Sequence, residues 1–245
     1  MKRGIKVQGL TKVFSADTVR AVDDVTFSVA PGEVVGLLGA NGAGKTTIVK
    51  MLSTLLCPTT GNVWVDGHDT VSAPQAVRAS IGMLFGSDTG LYNRLSVREN
   101  IRYFAALNGL DRRNRELRTT ELVELFGLDS FIDRLVVNCS SGMKQRTALA
   151  RSVVHDPPVL LLDEPTTAMD IGTTLVVHAF VSRSRDEGKT VILSSHDTAE
   201  LERLCDRVLT LDAGRIVDEA YRGRDFGGDA GLLRSRFLAK RSVPR

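Results

Sequence analysis

The sequence predicts an α/β fold in which a parallel-sheet core carries an antiparallel β subdomain and an inserted helical subdomain. Three observations predict it. Short, nearly continuous apolar runs at residues 34–38, 81–85, 159–163, 190–194 and 208–211 alternate with segments of helical spacing, and runs apolar on both faces suit parallel strands covered on both sides. The early runs 5–14, 19–29 and 62–65, the last entering Asp66-Gly67, read as antiparallel strands with tight turns. Between about residues 87 and 154 the apolar spacing turns helical.

In chain order, 5–14 and 19–29 open the antiparallel part. The run 34–38 is closed by Gly39 and followed by Ile48, Met51, Leu52 and Leu55 at helical spacing, which predicts strand, tight loop and a helix over 45–56. In the insertion, Ile101, Phe104, Ala105 and Leu107 form one apolar face and Leu117, Leu122, Leu125 and Phe126 another. Arg112-Arg113-Asn114-Arg115 reads as a solvated helix start rather than a ligand site. Residues 221–245 are Gly-rich and basic with little periodicity, so they are expected to form a weakly ordered tail after a domain spanning 1–220.

Composition bounds the class. The 245 residues are 42% hydrophobic and 25% charged with a formal charge of +3, which excludes collagen-like, disordered and disulfide-stapled proteins. No apolar run reaches the roughly 18 residues of a membrane-spanning helix. Basic Met1-Lys2-Arg3 is followed by Gln8, Thr11 and Lys12 where a signal peptide needs its apolar segment, so export is not expected. Three scattered cysteines, Cys57, Cys139 and Cys205, fit a reducing compartment, with Cys57 and Cys205 expected to be buried thiols. Residues 221–245 hold seven Arg/Lys and two Asp, leaving the remainder at 25 cations against 27 anions. A body of charge −2 is not built to bind nucleic acid.

The chemistry begins at Gly39-Ala40-Asn41-Gly42-Ala43-Gly44-Lys45-Thr46, which fits G-x-x-x-x-G-K-[ST] between a strand and a helix. Glycines let successive N–H groups turn inward as an anion cradle at a helix N-terminus. Lys45 adds a full charge for the β- and γ-phosphates of ATP, and the Thr46 hydroxyl suits Mg2+. The loop resembles the phosphate loop of P-loop NTPases, which implies a RecA-like core. A second acidic element, Val159-Leu160-Leu161-Leu162-Asp163-Glu164, ends another buried strand. Asp163 there is suited to hold the magnesium ion through its water shell, and Glu164 to deprotonate the attacking water.

These residues resemble the nucleotide-binding subunits of ABC transporters, over roughly residues 3–220. Ser140-Ser141-Gly142-Met143-Lys144-Gln145-Arg146 is similar to the family's signature motif. The resemblance implies that Ser140 and Gly142 bind the γ-phosphate of ATP held by a second subunit, so that two sites form only between two copies or paired cassettes. Glu164-Pro165-Thr166-Thr167-Ala168-Met169-Asp170 resembles the strand exit and D-loop, with Asp170 at the nucleotide, and Ser194-Ser195-His196-Asp197 the switch whose histidine contacts the γ-phosphate. Thr47 continues the phosphate loop. Phe14 stands where an aromatic ring stacks on adenine, the other reading being a core aromatic, and Val19 would support the ribose side.

The pattern departs from the family in three places. Gly86 stands where a glutamine normally touches magnesium and water; Cys139, Ser141 and Met143 replace the usual signature residues; and Ala168-Met169 replaces the usual pair before Asp170, a volume-conserving change. The loop from Leu84 to Leu95, with Gly142-Met143-Lys144-Gln145-Arg146 and Glu202-Arg203-Leu204-Cys205-Asp206-Arg207, resembles the bacterial sodium-efflux branch of type-2 exporters, phrases also found in drug and polysaccharide exporters.

The resemblance implies an ATPase subunit, peripheral on the cytoplasmic face of the cell membrane, powering export by a separate permease. Residues 87–100, with Tyr92, Arg94 and Arg98, are the expected permease contact, and the basic tail is a candidate for anionic headgroups. A soluble ABC-type ATPase acting on nucleic acid or ribosomes would carry a long coiled coil or two cassettes. A small-molecule kinase would leave Ser140–Arg146 and His196 without a task.

Overall fold

The computed structural model describes residues 4–14, 19–86, 90–167, 169–227 and 231–241. In chain order the elements are β1 (Ile5–Phe14), β2 (Val19–Val29), β3 (Val34–Leu38), α1 (Lys45–Leu52), β4 (Thr60–Val65), β5 (His68–Asp69), α2 (Pro74–Ser80), β6 (Ile81–Phe85), α3 (Val97–Leu107), α4 (Arg112–Phe126), α5 (Ser141–Ser152), β7 (Val159–Asp163), α6 (Ile171–Asp186), β8 (Thr190–Ser195), α7 (Thr198–Leu204), β9 (Arg207–Asp212), β10 (Arg215–Tyr221) and α8 (Leu232–Arg241).

An antiparallel sheet of order β2-β1-β4-β5 stands beside a six-stranded sheet of order β10-β9-β3-β8-β7-β6. In the latter only β10 runs antiparallel to its neighbour. Strand alternation sends Val34 and Leu38, Leu160 and Leu162, and Val191 and Leu193 into a core shared with the helices of the insertion, α6 and α7. Val35 and Leu37, Val159 and Leu161, and Ile192 face the other way, into a core with α1 and the antiparallel sheet. Arg207 ties the two sheets together: it donates to Glu33 Oε1 (2.7 Å), Glu219 Oε1 (2.5 Å) and the Ser28 carbonyl.

The parallel register decides where chemistry can occur. Phe85 pairs with Asp163 and Asp163 with Ser194, while Leu38 pairs with Ser195. The carboxyl ends of β6, β7, β8 and β3 therefore open at one level, the edge at which α/β sheets bind ligands.

Several expectations need correction. Helix α1 stops at Leu52 because Thr54 turns left-handed (φ 65°), which leaves Leu55 and Cys57 exposed rather than in the core. Leu107 and Leu117 are likewise exposed, at the end of α3 and on the outer side of α4. The described residues after Tyr221, 222–227 and 231–241, are not a featureless tail. Phe226 and Leu233 are buried, Arg236 pairs with Asp218 and Asp225, and the Glu202 carboxylate of α7 accepts from the N–H groups of Gly231 and Leu233 at the start of α8. The Gly-rich spacing hid these anchors because they lie far apart in sequence. The solvated helix start expected at Arg112–Arg115 is found as the first turn of α4, capped by Asp111.

Candidate active site

The loop from Gly39 to Gly44 closes over the N-terminus of α1. Gly44 has φ +106°, and a Cβ there would lie 2.6 Å from the Ala21 carbonyl, so only glycine fits between this loop and β2. Ala43 is tied in by the Gly214 N–H donating to its carbonyl at 3.1 Å. The loop faces a cleft of about 390 Å3 lined by Ala40, Asn41, Gly42, Gly44, Lys45, Thr46, Thr47, Glu164 and Ala21. Ala21 was not expected; a small residue on an antiparallel strand gives no sequence signal.

Lys45 is 5% exposed, and its Nζ donates to the carbonyls of Gly39 (2.7 Å) and Ala40 (3.3 Å). It also lies 3.3 Å from Glu164 Oε1, an ion-pair contact outside hydrogen-bond geometry. Thr46 Oγ1 donates to Asp163 Oδ2 at 2.7 Å, while the Ser194 hydroxyl donates to the other oxygen of the same buried carboxylate. Two hard oxygen donors meeting at a buried strand end are a donor set that fits a magnesium ion.

Glu164 follows directly in the left-handed region (φ 50°), an uncommon conformation for a residue with a side chain. Its N–H donates to the carbonyl (3.1 Å) and hydroxyl (3.0 Å) of Ser194, which hold the turn in place. The Glu164 carboxylate receives Thr167 Oγ1 at 3.0 Å, and His196 Nδ1 lies 2.8 Å away. The His196 side chain is 59% exposed, so it can also meet a second body.

The signature residues occupy a different place. Ser140 caps α5 by accepting from the Met143 N–H, and Asp170 caps α6 by accepting from the N–H and hydroxyl of Thr173. Those hydrogen bonds, the backbone one first, hold the Asp170 carboxyl below its usual range. Gly142 joins the two helix starts: a Cβ there would lie 2.6 Å from Thr173 Oγ1 and 2.9 Å from Asp170 Oδ2. None of Ser140, Gly142 and Asp170 lines the phosphate-loop cleft among the described residues. Cys139 is buried, and burial pushes its thiol pKa up.

Phe14 and Val19 pair across the end of the β1–β2 ladder, 39% and 56% exposed, so the core reading of Phe14 fails. Lys12 Nζ lies 5.3 Å from its ring centroid. The Gly86 N–H donates to the Asp163 carbonyl at 2.7 Å, so the loop that leaves β6 starts beside the acidic end of β7. Residues 87–89 and Ala168 lie outside the described residues. Arg98 is not a free cation, because it forms a two-point pair with Asp133.

A family model described as ABC transporter matches residues 22–167. The ABC transporter ATP-binding protein NatA of Bacillus subtilis is 44% identical over 205 residues, covering 84% of this chain and 82% of NatA. The daunorubicin/doxorubicin resistance ATP-binding protein DrrA of Streptomyces peucetius is 38% identical, covering 90% of this chain and 66% of its own length. Among solved structures, the dimeric post-hydrolysis state of the ATP-binding cassette MJ0796 bound to ADP and Pi matches with a TM-score of 0.81 and 26% identity, covering 89% of this chain and 99% of that one.

Proposed function

Because the chain belongs to the ABC transporter family, as an ATP-binding subunit of the kind that hydrolyses ATP, we propose that Lys45, Thr46, Asp163, Glu164 and His196 form its hydrolytic centre. The observation that carries this is the meeting of Lys45 and His196 on one carboxylate, Glu164, beside the Thr46–Asp163 pair. The phosphates of ATP bind the backbone N–H groups of residues 39–47, and Lys45 exchanges its contact with Glu164 for the β- and γ-phosphates. Thr46 and Asp163 hold magnesium, which, when bound, screens the charge between those phosphates. Glu164, relieved of Lys45, takes the proton of the attacking water, and His196 orients that carboxylate and reaches the γ-phosphate. Phe14 and Val19, exposed beside Ala21, receive the adenine and ribose.

A second copy, or a paired cassette, supplies Ser140, Gly142 and Asp170 to that γ-phosphate. Supporting this, the helix starts they cap stand away from the chain's own cleft, and Ile171 beside them is 81% exposed. ATP would hold the pair together and its hydrolysis release it.

The partner in the membrane is a separate permease, which leaves this subunit peripheral on the cytoplasmic side; no helix among the described residues is long and apolar enough to cross a membrane. Its docking surface is the segment before α3, where exposed Tyr92 packs edge-on to Tyr103 at 5.0 Å. Buried Asn100 pins that segment by accepting from the Tyr92 N–H (2.8 Å) and donating to the carbonyls of Tyr92 (3.1 Å) and Ser96 (2.9 Å). Sodium is the favoured cargo, on the resemblance of the Leu84–Leu95 sequence and its companion motifs to the sodium-efflux branch, with a drug the alternative on the likeness to the daunorubicin/doxorubicin resistance protein DrrA. Proteoliposomes holding the subunit with a candidate permease that co-purifies with it distinguish them: ATP-driven sodium flux supports the first, and doxorubicin flux without sodium flux the second.

A further inference from the structure

The Glu164–His196 contact joins two separate backbone exits, the loop after β7 and the end of β8, and one buried carboxylate on α7 holds both. Glu200 is 5% exposed. Its Oε1 accepts from Thr166 Oγ1 at 2.8 Å, two residues beyond Glu164, and lies 3.0 Å from His178 Nε2 on α6. The hydroxyl of Ser195, the residue before His196, lies close enough to the same carboxylate to help hold it ionised. Burial alone would raise the Glu200 pKa, but its polar neighbours His178, Ser195 and Thr166 outweigh it and hold the group below the usual carboxylate range. A buried anion is kept only where its partners are fixed around it. Here those partners are the flanks of the two residues whose side chains meet at 2.8 Å.

We infer that Glu200 is a positioning residue for hydrolysis: through Thr166 and Ser195 it sets the distance between Glu164 and His196, with His178 anchoring it to α6. It does not line the phosphate-loop cleft, so it acts on the chemical step rather than on ATP affinity. A small displacement of a positioned base costs rate steeply, whereas nucleotide affinity resides in the phosphate loop on the far side of Glu164. The inference rests on the proposed role of Glu164 as base.

Steady-state ATPase kinetics of the full chain test it, with Glu164→Gln run alongside. Glu200→Ala is expected to lower kcat about tenfold or more while KM for ATP stays within about twofold. Glu200→Gln is expected to recover most of the rate, because its amide oxygen, standing in the place of Oε1, still accepts from Thr166 and still lies against His178 Nε2. Added to Glu164→Gln, Glu200→Ala should cost nothing further, as residues acting through one group are not additive. If Glu200→Ala does not fold, Thr166→Val reads the same contact by removing one hydroxyl, with an expected loss of severalfold in kcat alone. The inference is overturned if Glu200→Ala, or Thr166→Val in its place, turns over at the normal rate while Glu164→Gln is inactive. It is equally overturned if KM and kcat worsen together in step with lost thermal stability, the mark of a purely structural role. Normal turnover by Glu164→Gln would instead remove the base assignment beneath it.

Discussion

Glu164 carries its carboxylate to within 2.8 Å of His196 Nδ1, although the two residues leave different strands and lie 32 positions apart. The meeting follows from register. Asp163 and Ser194 are paired across β7 and β8, so the next residue on one strand and the second residue beyond on the other emerge side by side. The Glu164 backbone turns left-handed (φ 50°) as it does so, at a cost on the order of 1–3 kcal/mol. The two hydrogen bonds its N–H gives to Ser194 hold that turn. Backbone strain held at one residue on the edge of the phosphate cleft suits the role of pre-set base proposed for Glu164.

Removing Lys45 leaves the cleft without its cation. Lys45→Ala is expected to weaken ATP binding by about two orders of magnitude or more, since breaking a buried charge contact costs about 3–5 kcal/mol. Calorimetric titration with ATP checks this, and an unchanged Kd would remove Lys45 from the phosphate site.

Gly142 separates the nucleotide site from the proposed trans site. Gly142→Ala forces a methyl group against Thr173 and Asp170, at about 1–3 kcal/mol. ATP binding by the single chain should persist while the ATP-dependent pair is lost. Thr173→Ala in the same chain removes the nearer clash and should restore part of the pairing, which analytical ultracentrifugation with ATP reads directly.

Helix α8 packs onto the folded unit. Leu233 is 1% exposed, and Leu233→Ala should lower stability by about 2–5 kcal/mol, the usual cost of such a truncation in a core. An unchanged midpoint in a denaturant melt would show that α8 does not pack as described.

Much of this was legible in the sequence because the informative features are local. The phosphate loop, the apolar run into Asp163-Glu164 and the Ser194–Asp197 switch each declare a strand end within a few residues. What stayed hidden depends on distant partners. Glu200 reads as an ordinary helix acid until Thr166 and His178 are folded against it. Residues 221–245 read as a basic tail because Arg236 finds Asp218, and the Leu233 N–H the Glu202 carboxylate, only in the folded chain. Leu55 and Leu117 kept helical spacing but lost burial, since periodicity does not reveal where a helix stops or how wide its covered face is.

The proposed engine requires that ATP hold two chains together and that Glu164 release them. Size-exclusion chromatography of Glu164→Gln with and without ATP measures both at once, alongside its rate of phosphate release. The expected result is a monomer without nucleotide, a stable dimer with ATP, and turnover reduced by at least about a hundredfold. A Glu164→Gln chain that stays monomeric with ATP and hydrolyses it at the normal rate would contradict the account.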